Sequence, residues 1–587
     1  VLEFWREHDI FKKSLETPAG AEPVGDFVFY DGPPFATGLP HYGHILAGTL
    51  KDAIPRFWTM NGYRVRRKWG WDCHGLPVEH EIDKLFEIKG KEDVLAMGID
   101  KYNEECRSIV MRYSSEWRKT ITRVGRWIDF DNDYKTLDPT FMESVWWVFQ
   151  QLHAKGLVYR GFKVMPYSTA CNTPLSNFEA GLDYRDVSDP AVLVKFPLQN
   201  ETNTFFVAWT TTPWTLPANM ALCVNPEFDY CYLRNTDSEV LIVADLRKSF
   251  IPGATKKGRS NVLSDGWKVE KIVKGLELQG YRYTPLFNTF DEEYGANAFV
   301  VACDKYVSSD SGTGVVHQAP AYGEDDYRVC IENGIIEKGR TLPDPVDANG
   351  CFTKEAPESV VGLYIKDADK HVIQLLKDKS LLLDSARIVH SYPFCWRSKT
   401  PLIYRAVSSY FVRVEKIKSE LLKNTAETKW VPAYVQEKRF HNWIEGARDW
   451  AISRNRYWGT PMPVWQSPDG DETIVIGSIA ELEKLTGCSG ISDIHRHRID
   501  HLTIPSQRGP DFPALHRVED VFDCWFESGS MPYAQQHFPF ENSENFEQRF
   551  PADFVAEGLD QTRGWFYTLM VLSTALFNRP AFKNLIC

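Results

Sequence analysis

Residues 27–69 constrain the fold most, because their pattern predicts a buried strand, a turn, a helix and a second strand. In order, these are the apolar run 27–30, the turn DGPPFATGLP at 31–40, a helical pattern over 42–60 and a strand pattern over 63–69. A strand–helix–strand unit with a glycine-rich turn is typical of a parallel, doubly wound sheet. Pro55 predicts a kink or an early stop in the helix, since proline lacks the backbone N–H.

The middle of the chain has a different texture. Short β-type runs dominate there, at 191–196, 204–209, 239–244 and 298–302, separated by Gly, Pro, Asn and Asp. This pattern predicts a β-rich, barrel-like domain inserted into the first fold, and mixed helix and strand patterns return after it. We therefore predict an α/β protein in three segments: residues 1–182, the insertion at 183–391, and residues 392–587.

Composition excludes several classes of protein. With 43% hydrophobic and 25% charged residues, the 587-residue chain is typical of a globular protein. Its net charge of −12 excludes a general polycation, so nucleic acid would have to contact local basic patches. The 12 cysteines are scattered without any CxxC, which favours reduced thiols in the cytosol. No apolar run reaches the ~18 residues of a membrane span, so we expect no membrane partner.

Two histidines follow the glycine-proline turn. His41 and His44, in HYGH, are three residues apart and therefore share one helix face. A helix N-terminus after glycines attracts anions, and Gly43 allows a phosphate to approach the backbone closely. Two histidines that merely cap a helix are the alternative, but their place after a strand and a turn favours a nucleotide site.

Asp72 and two tryptophans are candidates for a substrate pocket. Asp72, in GWDCHGLPVE, follows the second predicted strand, and ligands of parallel sheets bind at the carboxyl ends of strands. It is a candidate partner for an ammonium group, although a helix N-cap is an equally open interpretation. Trp458 and Trp565 lie beside glycines and polar residues, which suits a pocket wall.

The residue pattern alone does not decide whether two motifs of the insertion and one basic run are functional or structural. The threonines at 210–212, before Trp214, could hold a ribose or a water, although β-propensity alone explains them better. His317 ends an apolar strand ahead of Asp326, and the pair could orient water and bind an amine, although a surface turn is commoner. The run RVRRK at 64–68 could contact phosphate, but a solvated strand face is favoured.

Taken in order, these motifs resemble the class I aminoacyl-tRNA synthetases. GPPFATGLPHYGH resembles the HIGH signature of that family, and GWDCHGLPVE, WTTTPWT and GTGVVHQAP resemble its group for branched aliphatic amino acids. SRNRYWGTP, DCWFESG and EGLDQTRGWF resemble the members that act on isoleucine. The resemblance covers essentially all 587 residues.

The resemblance implies ATP-dependent activation of isoleucine, with Mg²⁺, and its transfer to tRNA(Ile) in the cytoplasm. It also implies a Rossmann-like catalytic domain and hydrolysis of mischarged Val-tRNA(Ile) by the insertion. The implied site residues are His41 and His44 in catalysis; Gly43 and Glu557 on ATP or the adenylate; Pro33, Asp72, Trp458, Gln561 and Trp565 on isoleucine; and Thr210, Thr211, Thr212, Trp214, His317 and Asp326 in editing.

The sequence departs from the family pattern at several places. The KMSKS loop is absent, and by the family layout it and the anticodon-binding helices follow Cys587, so we expect the chain to be part of a longer protein. Residues 395–398 read CWRS where some relatives carry a metal-binding CxxC, so we predict no zinc. Tyr322 replaces a histidine of some relatives. A valine enzyme and a non-catalytic or editing-only fragment are the alternatives.

Overall fold

The computed structural model describes residues 1–16, 23–35, 37–88, 91–175, 180–181, 183–337, 341–396 and 398–587. These form two compact units: residues 1–160 with 409–587, and residues 161–408. The chain passes from the first unit to the second within the strand Val158–Ser168, and it returns within the strand Ile403–Val412. The boundaries predicted from sequence, 182/183 and 391/392, both fall inside the second unit, and Leu182 itself lies outside the described residues.

A row of parallel strands and extended segments runs through the first unit. Parallel pairs or single parallel bridges join, in order, Lys429–Val431, Phe582–Ile586, Ala552–Ala556, the extended segment 26–30, the segment 64–71 with strand Lys68–Trp71, and Asp129–Lys135. Parallel neighbours require crossover connections, which the helices Tyr42–Met60, Ile99–Val124 and Trp565–Phe577 supply. The predicted α/β fold class, doubly wound and parallel, is confirmed.

The helix Tyr42–Met60 has the predicted bounds, but it continues through Pro55. The expected early stop is therefore wrong. Pro55 is buried, and burial of that helix face compensates for the one backbone hydrogen bond that proline removes. The helix Pro139–Ala154 begins with proline at its first position after Asp138, as such helices commonly do.

The other regular elements of the first unit cover its core. Its further α-helices are Leu2–Glu7, Ile10–Lys13, Leu76–Leu85, Lys91–Met97, Lys418–Ala426, His441–Glu445, Ile479–Thr486, Arg496–Ile499, Cys524–Gly529, Met531–Ala534 and Phe546–Arg549. Its further strands are Trp450–Ala451, Ser453–Arg454, Val464–Gln466, Thr473–Val475, Thr503–Ile504, Leu515–Arg517 and Val521–Phe522. The largest apolar cluster among the described residues includes most of the buried side chains of Pro139–Ala154 and Trp565–Phe577, so these two helices form the centre of the core.

The second unit is β-rich. Its six-stranded sheet has the order Lys268–Lys274, Asp229–Arg234, Val240–Ala244, Thr204–Thr210, Tyr184–Pro197, Leu382–Pro393, and a three-stranded sheet has the order Val300–Cys303, Ala221–Val224, Val315–Gln318. Smaller strands are Thr173–Pro174, Thr255–Lys256 and Arg259–Leu263, and the α-helices are Asp291–Tyr294, Glu324–Glu332 and Ile365–Asp378. The predicted β runs 191–196 and 204–209 lie within these strands, whereas the runs 239–244 and 298–302 begin one and two residues before the strands Val240–Ala244 and Val300–Cys303. Both sheets are open among the described strands, and no described helix could cross a membrane.

Candidate functional site

A cavity of about 200 Å³ opens in the first unit where the parallel strands end. Asp31, Asp72 and Glu557 each follow one of these strands or extended segments and face the cavity. Ligands of such sheets bind at this edge. Of the residues predicted for the catalytic site, the cavity brings together Pro33, His41, Gly43, His44, Asp72, Glu557, Gln561 and Trp565.

His41 and His44 form a compact pair at the start of the helix Tyr42–Met60. His41 Nδ1 accepts a hydrogen bond from Gly43 N at 3.1 Å, and His41 N donates to His44 Nδ1 at 3.2 Å. The ring centroids are 3.7 Å apart. Burial, followed by repulsion from His41 and Lys51, lowers the pKa of His44 to about 4. His44 is therefore neutral at pH 7, with Nε2 available as a donor to an anionic oxygen.

A buried ion network underlies the histidines. Lys51 Nζ donates to Asp31 Oδ1 at 2.7 Å and also to Glu557 Oε1, and Arg126 donates to the other Asp31 oxygen at 2.8 Å. Burial raises the pKa of Glu557, while Lys51 opposes this shift. A Cβ on Gly32 would collide with the carboxylate of Glu557 and displace it from Lys51. Sequence reasoning missed Lys51, although it follows His44 by seven residues and so shares its helix face.

Asp72 is a buried carboxylate with an unused oxygen. Only 2% of the residue is exposed, and its Oδ1 has no hydrogen-bond partner among the described residues. Burial, with a contribution from Glu527, raises the pKa of Asp72 well above its usual value. A buried carboxylate oxygen without a partner is costly, and an ammonium group bound in the cavity would offset that cost.

Trp565 and Gln561 form the opposite wall. Trp565 is buried, and its Nε1 donates to Ser528 O at 3.0 Å, which fixes the indole plane. Gln561 Oε1 accepts a hydrogen bond from Trp565 N at 3.0 Å. Trp525 also lines the cavity and contacts Phe35 edge to face. The cavity wall therefore carries two indole rings, which provide an apolar surface for the side chain of a ligand.

Trp458 is not brought to the cavity lining, in contrast to the sequence-based prediction. It is fully buried behind Asp72, where its Nε1 donates to Cys73 O at 2.7 Å and its ring stacks on His495. The backbone N–H groups of Tyr457 and Trp458 both donate to one carboxylate oxygen of Glu79. These long-range bonds turn the indole inward, so Trp458 supports the segment that carries Asp72.

In the second unit, the predicted threonines and His317 are joined by a hydroxyl that sequence reasoning missed. Thr215 Oγ1 lies 2.9 Å from His317 Nε2 and 3.4 Å from Thr212 Oγ1, which lies 3.2 Å from Thr210 Oγ1. Burial lowers the pKa of His317 to about 4, so the imidazole is neutral at pH 7. A neutral imidazole hydrogen-bonded to hydroxyls can orient a water molecule. The repeated threonine in TTTPWT was the available signal.

Trp214 lies between Thr212 and Thr215 in the chain, and Asp326 follows the strand of His317. Trp214 is buried, its N donates to Asp369 Oδ1 at 2.9 Å, and its ring meets Tyr322 edge to face at 4.7 Å. Asp326 Oδ2 accepts a hydrogen bond from Ala319 N, just beyond the strand of His317, and burial raises its pKa to about 7. Thr211 is half-buried in the same turn.

Two groups bear on metal binding. Glu104, Asp493 and His497 have ligand atoms within 4.8 Å of one another, but the two carboxylates already contact Arg107. They lie outside the cavity. At the CWRS segment, Cys395 Sγ accepts a hydrogen bond from Ser398 N, and Arg397 lies outside the described residues.

The chain is similar to known proteins over its whole length. The family model described as tRNA synthetases class I (I, L, M and V) matches residues 1–587. Proteins named isoleucine–tRNA ligase, cytoplasmic, from Arabidopsis thaliana and Mus musculus are each 59% identical over 100% of this chain, and the match covers 51% and 45% of those proteins. A crystal structure of a LeuRS–tRNA–LeuAMS ternary complex from Agrobacterium radiobacter K84 is 16% identical over 100% of this chain and 66% of that chain, with a TM-score of 0.44.

The match of the family model to every residue, together with the fold described above, places the chain in a class. The chain belongs to the class I tRNA synthetases of the I, L, M and V group. It spans about half the length of the curated relatives that it matches.

Proposed function

We propose that the chain is the catalytic and editing portion of a cytoplasmic isoleucine–tRNA ligase. Isoleucine is activated with ATP and transferred to tRNA(Ile), and mischarged Val-tRNA(Ile) is hydrolysed in the second unit. Family membership and the names of the similar proteins from Arabidopsis thaliana and Mus musculus support this assignment. The structural observation that carries it is the buried, unpartnered Asp72 oxygen in the same cavity as His41 and His44.

Activation requires no side-chain nucleophile. A carboxylate oxygen of isoleucine attacks the α-phosphorus of ATP, and the bond from that phosphorus to the bridging oxygen of pyrophosphate breaks. Asp72 holds the isoleucine ammonium, and Trp525 and Trp565 enclose the side chain. Neutral His44 donates a hydrogen bond to a phosphate oxygen as charge develops there. Catalysis in this scheme is positioning together with electrostatic stabilisation.

Two cations of the cavity, Lys51 and Arg126, are available to contact the phosphates of ATP. Lys51 and Arg126 balance Asp31 and Glu557, so the ligand-free site keeps its charges paired. Mg²⁺ enters with ATP as part of the substrate and is held mainly by phosphate oxygens, as this ion usually is. Gly43 allows the nucleotide to lie close to the backbone, and Pro33 contacts the isoleucine.

A second site is needed for accuracy. One missing methylene in an apolar pocket changes binding by only about 1–3 kcal/mol, which is too little to exclude valine. In the second unit, Thr215 and His317 orient the hydrolytic water, the threonines at 210–212 contact the terminal ribose, and Asp326 holds the amino group. Trp214 closes one side. The hydrogen-bonded chain from Thr210 to His317 supports this arrangement.

The test measures amino-acid choice and editing in the full-length protein that carries this chain. We expect ATP–pyrophosphate exchange to favour isoleucine over valine by roughly 10- to 200-fold in kcat/KM. We also expect Val-tRNA(Ile) to be deacylated while Ile-tRNA(Ile) is spared. Exchange that favours valine would identify a valine enzyme instead. Deacylation without exchange for any amino acid would identify an editing-only protein.

A further inference from the structure

The first unit contains a second cavity, which the proposed reaction does not use. Its volume is about 560 Å³, and none of its lining residues lines the cavity of His41 and His44. The basic run at 64–68 forms one side, Arg549 and the amides of Gln535, Gln536 and Asn542 form another, and the aromatic run 27–30 forms the floor.

This cavity carries an excess of positive charge in an acidic protein. Its cationic lining residues are Arg64, Arg66, Arg67, Lys68 and Arg549, and its acidic ones are Asp26 and Asp129. The chain as a whole has a net charge of −12. A local cluster of this sign in such a background attracts anions selectively.

Internal pairing uses only part of this charge. Arg64 binds both carboxylate oxygens of Asp26, which lowers the pKa of Asp26. Lys68 Nζ donates to Gln535 O at 2.9 Å, and Arg67 donates to Thr59 Oγ1. Each of these three cations therefore has a protein partner.

Arg66 and Arg549 are different. Neither has a carboxylate partner within salt-bridge distance among the described residues, and the guanidinium of Arg549 donates only a long hydrogen bond of 3.5 Å to Gln536 Oε1. Burial, then repulsion from Arg66, lowers the pKa of Arg549, and Asp26 only partly opposes this. Arg66 and Arg549 repel each other, and an anion bound between them would reduce this repulsion. The cavity therefore favours an anionic ligand.

Burial alternates along the basic run. Val65 and Arg67 are buried, with exposures of 0% and 2%, whereas Arg64, Arg66 and Lys68 are more exposed. Arg67 nevertheless lines the cavity together with these three residues. Arg66 is exposed, Arg64, Lys68 and Arg549 are half-buried, and all four line the same cavity. The cavity is therefore open to an anion from solvent on the side of Arg66.

We propose that this cavity binds a small phosphate-bearing anion of about nucleotide size. Arg66 and Arg549 contact the phosphate oxygens, because a guanidinium matches phosphate with two parallel hydrogen bonds. The side-chain amides of Gln536 and Asn542 supply neutral donors at the edge. The volume fits a small ligand and excludes a nucleic acid duplex.

The probe is inorganic tripolyphosphate, titrated by calorimetry into the full-length protein that carries this chain. We expect the double variant Arg66→Ala/Arg549→Ala to lose one binding event, or to weaken it at least roughly tenfold. Arg66→Lys/Arg549→Lys should retain part of the affinity, since it keeps the charge but not the two-pronged geometry. The KM for ATP in pyrophosphate exchange should not change, because these residues lie outside the nucleotide cavity.

The control is Arg185→Ala/Arg234→Ala, which removes two charges from the surface of the second unit. It should bind tripolyphosphate as the wild type does. Melting curves verify that the alanine variants are folded, and within the described part of the chain neither Arg66 nor Arg549 forms an ion pair that the replacement would remove. Equal binding by wild type and Arg66→Ala/Arg549→Ala would overturn the proposal. So would loss of tRNA binding with unchanged tripolyphosphate binding, which would assign the surface to nucleic acid.

Discussion

Replacement of Asp72 by asparagine tests the amino-acid pocket most directly. The substitution keeps the shape of the side chain but removes the charge that faces the cavity. Asp72 is almost completely buried, and removal of one partner from a buried charge pair typically costs about 3–5 kcal/mol. In Asp72→Asn, kcat/KM for isoleucine should therefore fall by roughly 10²- to 5 × 10³-fold.

The assay is isoleucine-dependent ATP–pyrophosphate exchange at varied isoleucine and at varied ATP. The loss should appear with isoleucine as the varied substrate, whereas the KM for ATP should change little. Asp511→Asn, which replaces an exposed carboxylate of the same unit, is the matched control and should behave as the wild type does. Exchange by Asp72→Asn within threefold of the wild type would refute the role of Asp72.

Asp72→Asn should lose activity without losing stability. Because burial raises the pKa of Asp72, the native state holds this proton more tightly than the unfolded chain does. Stability therefore decreases as pH rises from about 3.9, the ordinary pKa of aspartate, to the raised pKa. At pH 7 the ligand-free variant should melt no lower than the wild type, and the difference should shrink below pH 4. A lower melting temperature at pH 7 would contradict the burial of an unpartnered charge.

Two further predictions concern the histidines of the two sites. His44→Ala should lower kcat for pyrophosphate exchange by roughly 10²- to 10³-fold, because one donor to the developing charge is lost. Tyr42→Ala, an exposed neighbour in the same helical turn, should leave exchange unchanged, and equal loss in both variants would point to helix disruption. Thr215→Val should slow deacylation of Val-tRNA(Ile) roughly 10- to 100-fold, since it leaves His317 Nε2 without its partner. Exchange should be unaffected by this change, and normal deacylation in Thr215→Val would exclude the hydroxyl from editing.

Local sequence determined much of the catalytic cavity. The strand, glycine-proline turn and helix of the first unit could be predicted because each depends on neighbouring residues and on short-range periodicity. The pairing of His41 with His44 is likewise local, since both hydrogen bonds close within one helical turn. The resemblance to a known family then indicated which motifs, although far apart in the chain, contribute to the same site.

Only the tertiary structure decided which distant side chains meet. Lys51 and Glu557 are separated by 506 residues, and no pattern within either segment indicates their ion pair. Trp458 has the local features of a pocket residue, yet bonds to Glu79 and Cys73 turn it into the core, and Trp525 lines the wall. Backbone periodicity determines which side of its own element a residue occupies, whereas long-range packing determines what that side faces.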